Sequence, residues 1–326
     1  MPFRVLVTAR SFRKQSGEHK QILQEAGCEL VEATEDRPLR AAELQELIPD
    51  ADAAIVGLDE VTKEVIAAGR KLKVISKYGV GLDNIDIPAA TAAKIVVTNT
   101  PGTNHVAVAE LTIGLLLALA RRIPQHNNSA KSGSWARVTG IELADKTLGL
   151  VGLGQISREV IKRAASFSMR LLVRTGHPEE NLTKAFGVEY VSLEHLLKHS
   201  EFVSLHCALT PQRVRLIGEK QLRAMKSTSY LVNTARGELV DEEALHRALQ
   251  EGWIAGAASD VFTQEPPTGN PLLKLDNFIA TPHIGANTHE AVQRMGVMAA
   301  QNALLALQGQ RPPYVVNPAV YVYGKG

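Results

Sequence analysis

Cysteine is nearly absent from this 326-residue sequence: Cys28 and Cys207 are the only two, and they lack metal-ligand spacing. Two thiols cannot build a disulfide framework. A single bridge is arithmetically open, but the expected state is two buried free thiols, and no metal site is expected. Long apolar runs are lacking too. The longest, Leu111 to Ala120, is about half of the ~20 residues that span a bilayer and reads as a buried helix. The opening Met1-Pro2-Phe3-Arg4-Val5-Leu6-Val7 is too short for a signal-peptide core and leads straight into a predicted strand, so the cytosol is the expected location. Charge of one sign is not in excess. The formal net charge is +2, and Lys and Arg are spread along the chain without a basic stripe, which argues against a nucleic-acid partner. No repeat or low-complexity tract is present.

What remains is ordinary globular material, 45% hydrophobic and 21% charged, in a chain long enough for two cores. Short β-branched runs alternate with helical stretches throughout, the pattern of parallel sheets covered by helices. Strands are predicted at 4–8, 29–32, 53–56, 73–76 and 95–97, with helices such as 17–26 and 62–68 between them. The turn formers Asn99-Thr100-Pro101-Gly102-Thr103 then precede a long helix at about 105–122. A second series follows, with strands at 148–151, 170–173, 202–205, 229–232, 255–259 and 277–280 and a last helix over 288–307. The expected fold is α/β, two Rossmann-like domains with doubly wound parallel sheets. Residues 1–99 and 288–326 would form a flavodoxin-like substrate domain, and 100–287 a dinucleotide-binding domain.

The strand at 148–151 runs into Gly152-Leu153-Gly154-Gln155-Ile156-Ser157 and then a helical stretch, 158–167. This is the setting that a dinucleotide fingerprint requires. Gly152 permits the tight turn, Gly154 lets backbone approach a pyrophosphate, and the helix N–H groups face its charge. Ser157 replaces the third glycine, where a small residue suffices. Roughly twenty residues further on, an NAD site carries an acid that bonds the ribose hydroxyls. Here the chain reads Val173-Arg174-Thr175-Gly176-His177. Without the acid at Thr175, and with Arg174 and His177 beside it, NADP(H) is favoured over NAD(H). The bland alternative is a flavodoxin-like turn, or an Arg174 that points into solvent.

Three polar, turn-like segments follow predicted strands: Asn233-Thr234-Ala235-Arg236-Gly237, Asp260-Val261-Phe262-Thr263-Gln264-Glu265-Pro266-Pro267 and Thr281-Pro282-His283-Ile284-Gly285. Loops at the carboxyl ends of strands in an open sheet converge on one crevice. They bring a guanidinium that can fork onto a carboxylate, an imidazole that trades a proton near neutrality, and an acid to orient it. Each residue alone reads as readily as a structural His, a turn cap or a surface charge.

Together these segments resemble the hallmark segments of the D-isomer-specific 2-hydroxyacid dehydrogenases. The resemblance extends to Lys77-Tyr78-Gly79-Val80-Gly81-Leu82-Asp83-Asn84-Ile85-Asp86, to Asn99-Thr100-Pro101-Gly102 and to Ala109-Glu110-Leu111. It is closest to the catalytic core of D-3-phosphoglycerate dehydrogenases, without an appended regulatory domain. It implies an NAD(P)-dependent enzyme that passes hydride between the cofactor and a 2-hydroxy acid/2-oxo acid pair. His283 would exchange the hydroxyl proton, and Glu265 would bond the imidazole and favour its charged form. Arg236 would hold the substrate carboxylate and polarise the carbonyl. Lys77, Tyr78, Gly79, Val80 and Gly81 would complete the substrate site, with backbone N–H groups near Val80 and Gly81 on the other carboxylate oxygen. Gln155, Ile156, Cys207, Thr234 and Ala235 would join the cofactor site, and Asp260 would face the nicotinamide carboxamide. A glutamine in place of Glu265 would have suited formate dehydrogenase, so Glu265 argues against that activity. The resemblance also implies closure of the first domain by the last helix, and a homodimer with the helix near 105–122 in its interface.

One departure concerns substrate. Relatives that handle 3-phosphoglycerate tend to carry an Arg-Ser pair where this chain reads Val56-Gly57-Leu58-Asp59-Glu60. That stretch is acidic and unsuited to phosphate, which counts against 3-phosphoglycerate; the pair is expected among 3-phosphoglycerate-like, glyoxylate, hydroxypyruvate and sugar-derived acids. The rival reading is a nucleotide-sensing binding protein without turnover, like the corepressors that share this fold.

Overall fold

The computed structural model describes residues 2–324, with side chains through residue 321. The parts of the domain expectation that reach Met1 and residues 325–326 lie outside the described residues. The chain divides into two compact units, Met1–Asn104 with Asn287–Gly326, and His105–Ala286.

Unit 1 holds β1 (Arg4–Val7), β2 (Glu29–Glu32), β3 (Ala53–Val56), β4 (Val74–Lys77) and β5 (Val96–Thr98). All pairs are parallel, in the order β2-β1-β3-β4-β5, the flavodoxin-like arrangement. Helices cover both faces, so β3 and β4 are buried at every position, β3 as a continuous apolar run and β4 with the polar Ser76 and Lys77 at its end, whereas edge strand β2 is not buried. The helix His289–Leu307 starts where the Thr288 hydroxyl accepts the Ala291 N–H. It lays Ala299, Ala300 and Ala303 into the core, and Ser76 Oγ on β4 donates to the Ala299 carbonyl at 2.9 Å. β4 and β5 sit one residue later than the sequence pattern suggests. The Lys73 N–H is drawn off to the Asp52 carbonyl, and pairing starts at Ala53 with Val74. The turn formers at 99–103 are held within unit 1. Thr100 N–H donates to the Gly79 carbonyl at 2.9 Å, and Arg294 Nε to the Thr103 carbonyl at 2.9 Å.

Unit 2 holds β6 (Thr147–Val151), β7 (Arg170–Arg174), β8 (Glu189–Tyr190), β9 (Phe202–Leu205), β10 (Tyr230–Asn233), β11 (Gly256–Ser259) and β12 (Phe278–Ala280). The order is β12-β11-β10-β9-β6-β7-β8, again parallel throughout. β8 has no counterpart in the sequence reading, because a two-residue polar edge strand leaves no periodic signal. The helix His105–Ala120 is shorter than the predicted 105–122. Arg122 turns left-handed at φ 49°, and Pro124 then suits the first turn of a new helix, Ile123–Lys131. Cys28 is buried and Cys207 only half-buried, both free. The expectation of two buried thiols is therefore corrected at Cys207, which lies past the end of β9. Among the described residues no helix is long and apolar enough to cross a membrane, and no group of three or more His, Cys, Asp or Glu could hold a metal ion.

Candidate active site

In unit 2 the direction of winding reverses at β6, which lies between β9 and β7. Ligands of open α/β sheets bind past the carboxyl ends of strands at such a switch point. The Gly152 loop sits there. Gly152 has φ 104°, and a Cβ on it would stand 2.7 Å from Cys207 N and 2.8 Å from the His206 carbonyl carbon. Only glycine permits both that conformation and that approach. A Cβ on Gly154 would meet nothing within 4 Å, so the loop is open on that side. Ser157 is buried and does more than fit. Its Oγ donates to the Gly152 carbonyl at 2.9 Å and accepts the Gly154 N–H at 3.3 Å, tying the loop to its helix. The helix Gln155–Ser166 begins here, ahead of the predicted 158, so the unpaired donors of its first turn belong to the loop itself. Gln155 is exposed and Ile156 packs partly on the core. An open glycine turn feeding a helix N-terminus fits the pyrophosphate of a dinucleotide.

Arg174, the last residue of β7, and His177 beyond it are exposed, and Thr175 between them is half-buried. Thr175 Oγ1 accepts the His177 N–H at 3.1 Å, which fixes the turn. The first acid beyond, Glu179, is gripped by both Arg158 Nε at 3.1 Å and Arg158 Nη2. The Arg158 bond holds the Glu179 carboxyl below its ordinary range.

The three polar segments follow β10, β11 and β12, neighbours in the sheet. After β10, Asn233 cinches the turn: its Oδ1 accepts the Ala235 N–H at 3.0 Å and its Nδ2 donates to the Arg236 carbonyl at 2.7 Å. Arg236 Nη1 donates to the Ala235 carbonyl at 2.6 Å. Thr234 is buried and shares a 3.0 Å hydroxyl–hydroxyl bond with Thr112. A Cβ on Gly237 would lie 2.0 Å from the Phe262 carbonyl carbon and 2.3 Å from Thr263 N, so the segment after β10 is pressed onto the one after β11.

After β11, Glu265 turns back on its own loop, with Oε1 accepting the Phe262 N–H at 3.0 Å. Its Oε2 lies 2.8 Å from His283 Nδ1. A carboxylate can only accept, so Nδ1 carries a proton and Nε2 is the nitrogen left for exchange. Burial works to raise the Glu265 carboxyl, but the His283 bond and charge, the Phe262 N–H and Arg236 outweigh it, and the net shift is downward. His283 adopts φ 52°, unusual for a side-chain-bearing residue. Asp260 holds it there. Its carboxylate is buried and accepts the Thr281 hydroxyl at 2.6 Å, the Ile284 N–H at 2.8 Å and the Gly285 N–H at 2.8 Å. The Asp260 carbonyl also accepts the His283 N–H at 2.9 Å. Burial pushes the Asp260 carboxyl up, against the pull of those three donors and of His283. Asp260 is thus turned onto the 281–285 loop of its own unit, a role the sequence reading missed.

Within unit 1, Lys77 is buried and its ammonium binds the Gly57 carbonyl and Asn84 Oδ1 (2.8 Å for the latter). Tyr78 donates to the Val292 carbonyl at 3.2 Å, and burial pushes its hydroxyl pKa up. Gly79 N–H donates to Thr100 Oγ1 at 3.0 Å. The N–H groups of Val80 and Gly81 have no bond to an acceptor among the described residues. Asp59 is 1% exposed and accepts from Thr8 Oγ1, Leu39 N and Gly57 N at 2.5, 2.8 and 2.9 Å. Its charge faces the interior, so the acid the loop shows to solvent is Glu60, beside the exposed Leu58.

The family described as "D-isomer specific 2-hydroxyacid dehydrogenase, NAD binding domain" matches residues 113–285. A D-3-phosphoglycerate dehydrogenase of Methanocaldococcus jannaschii is 46% identical over 91% of this chain, which spans 57% of that relative's length. A glyoxylate reductase of Thermofilum pendens is also 46% identical, over 89% of this chain and 88% of its own. A crystal structure from Thermus thermophilus superposes with a TM-score of 0.87 at 40% identity, covering 96% of this chain and all of that one.

Proposed function

Because the chain belongs to the D-isomer specific 2-hydroxyacid dehydrogenase family, we propose that it reduces a small, unphosphorylated 2-oxo acid such as glyoxylate or hydroxypyruvate, with Arg236, Glu265 and His283 as its reacting set. The reaction class is hydride transfer between a nicotinamide cofactor and a 2-hydroxy acid/2-oxo acid pair. The observation that carries the reading is the 2.8 Å bond from His283 Nδ1 to Glu265 on the rim where Arg236 also sits.

The bound reduced nicotinamide supplies the hydride that reaches C2. His283 donates its Nε2 proton to the carbonyl oxygen as that oxygen gains charge, and the imidazole becomes neutral. Glu265 stabilises the imidazolium before transfer and keeps the ring oriented. The Arg236 fork holds the substrate carboxylate, which fixes the face presented to hydride. Asp260 acts through the loop it clamps. For unit 1 the proposal keeps 77–81 as substrate-binding, supported by the Val80 and Gly81 N–H groups, while Lys77 braces the loop after β3.

Unit 2 is read as the dinucleotide domain, with Gly152, Gly154, Gln155 and Ile156 on the pyrophosphate. NADP(H) is favoured there. Arg174 and His177 are exposed donors, Thr175 brings no charge, and Glu179 is neutralised by Arg158. Substrate choice rests on the 57–60 loop, where Leu58 and Glu60 face solvent and none of the four residues is a cation that would bind phosphate. A cytosolic setting suits two free thiols. We also read the chain as a homodimer, through the apolar side chains exposed after the helix His105–Ala120.

The test is a kcat/KM matrix of NADH and NADPH against phosphorylated and unphosphorylated 2-oxo acids. Turnover of glyoxylate or hydroxypyruvate, and little of the phosphorylated acids, is expected. His283→Ala should lower kcat by about 100-fold or more with cofactor affinity nearly unchanged. A variant that turns over at the wild-type rate would remove His283 from the mechanism.

A further inference from the structure

We propose that Glu242 is a positioning residue that locks the Glu265 loop against the Arg236 segment. This rests on the reading of those residues as the reacting set. Glu242 opens the helix Glu242–Gln250. An acid in a first helical turn ordinarily serves the helix's own N–H groups or its dipole. Here Asp241 has that duty, its Oδ1 accepting the Ala244 N–H at 3.1 Å. The Glu242 carboxylate is turned away from its helix. Oε1 accepts the Thr263 N–H at 2.8 Å, and Oε2 accepts Asn270 Nδ2 at 2.6 Å. Asn270 Oδ1 in turn accepts the Leu272 N–H at 3.0 Å.

One carboxylate therefore closes both ends of residues 263–270, the stretch that carries Glu265. The Phe262–Thr263 backbone is held at three points. Glu265 itself binds the Phe262 N–H, Glu242 binds the next N–H, and Gly237 abuts the carbonyl carbon between them. Glu242 and Gly237 lie on the same short segment as Arg236. The Glu242 bond thus joins the backbone that carries the carboxylate-binding guanidinium to the backbone that carries the histidine's partner. A displacement of about 1 Å in such a site costs of order 100-fold in rate.

Both groups facing Glu242 are donors, so Glu242→Gln must set its own NH2 against one of them. Asn270 cannot turn its amide to compensate without losing the Leu272 bond. Glu242→Gln loses one bond and Glu242→Ala loses both.

The experiment is a double-mutant cycle in the full chain, with Glu242→Ala, Glu265→Gln and the pair, read by steady-state reduction of glyoxylate or hydroxypyruvate and by NADPH affinity from fluorescence. Glu242→Ala should lower kcat about 10- to 100-fold with cofactor Kd within about two-fold. In the Glu265→Gln background the same change should cost under about three-fold, because its effect runs through Glu265. Glu242→Gln should fall between wild type and Glu242→Ala, and it replaces Glu242→Ala in the cycle if that variant does not fold. An unchanged kcat, or an equal loss in both backgrounds, would overturn the assignment. A wild-type chain inactive on every 2-oxo acid would instead sink the reading of the site, and this inference with it.

Discussion

At the scale of residues, Glu265 shows how competing effects on one carboxylate decide its behaviour. Burial favours its neutral form, and the His283 bond, the Phe262 N–H and Arg236 favour the anion and prevail. A folded value below the ordinary 4.5 means that Glu265 contributes stability above that pH and loses it as pH falls through the depressed value. Asp260, raised by burial, works in the opposite sense within the same rim. For kinetics, the acid limb of kcat in reduction should lie below pH 4.5, and Glu265→Gln should abolish it. A wild-type limb centred near pH 6 that Glu265→Gln removes would contradict the direction of the shift. Thr175 offers a second residue-level check. Thr175→Asp puts a carboxylate at the end of β7, where it would repel a 2′-phosphate and accept from ribose hydroxyls. The kcat/KM ratio of NADPH to NADH should drop at least about ten-fold, and an unmoved ratio would place selectivity elsewhere. The residue types at Arg236, Glu265 and His283 were legible because each stands in a polar, turn-forming segment after a predicted strand. The duties of Asp260, Glu242 and Lys77 were not. A buried acid that binds backbone N–H groups and one that faces a cofactor look alike in a string of letters.

At the scale of elements, the segments after β10 and β11 behave as a single piece. Gly237 makes this so through contact alone, since backbone of the neighbouring loop occupies the space its Cβ would need. Gly237→Ala should force the loops apart, costing about 1–3 kcal/mol in denaturant unfolding and about 100-fold in kcat. A well-folded variant with wild-type kcat would show that the spacing of the two loops is immaterial. Apart from β8, strand positions were readable to within a residue, because parallel strands covered on both faces are mostly apolar. Helix ends were less so. The helix His105–Ala120 stops because Arg122 turns left-handed, an event the apolar pattern does not record.

At the scale of the whole molecule, apolar surface is unevenly spent. The helix His105–Ala120 buries most of its length within its own unit, whereas Ile123, Trp135 and Val138 just beyond it are 51%, 70% and 44% exposed. Exposed apolar side chains of this size are available to a partner. We propose that the dimer contact includes them along with the helix. Sedimentation should give a dimer, and Trp135→Ser with Val138→Ser should shift it toward monomer at micromolar concentration. A monomeric wild-type chain would end the proposal. The sequence by itself determined the α/β class, the two alternating series of strands and the residue types at the rim, because hydrophobic period and turn chemistry act locally. Only the tertiary structure decided which strands are neighbours, and so that β10, β11 and β12 set an arginine, a glutamate and a histidine on adjoining loops. It alone turned Asp260 and Glu242 onto backbone donors. Those bonds join residues far apart in the chain, and their partners exist only once the sheet has formed.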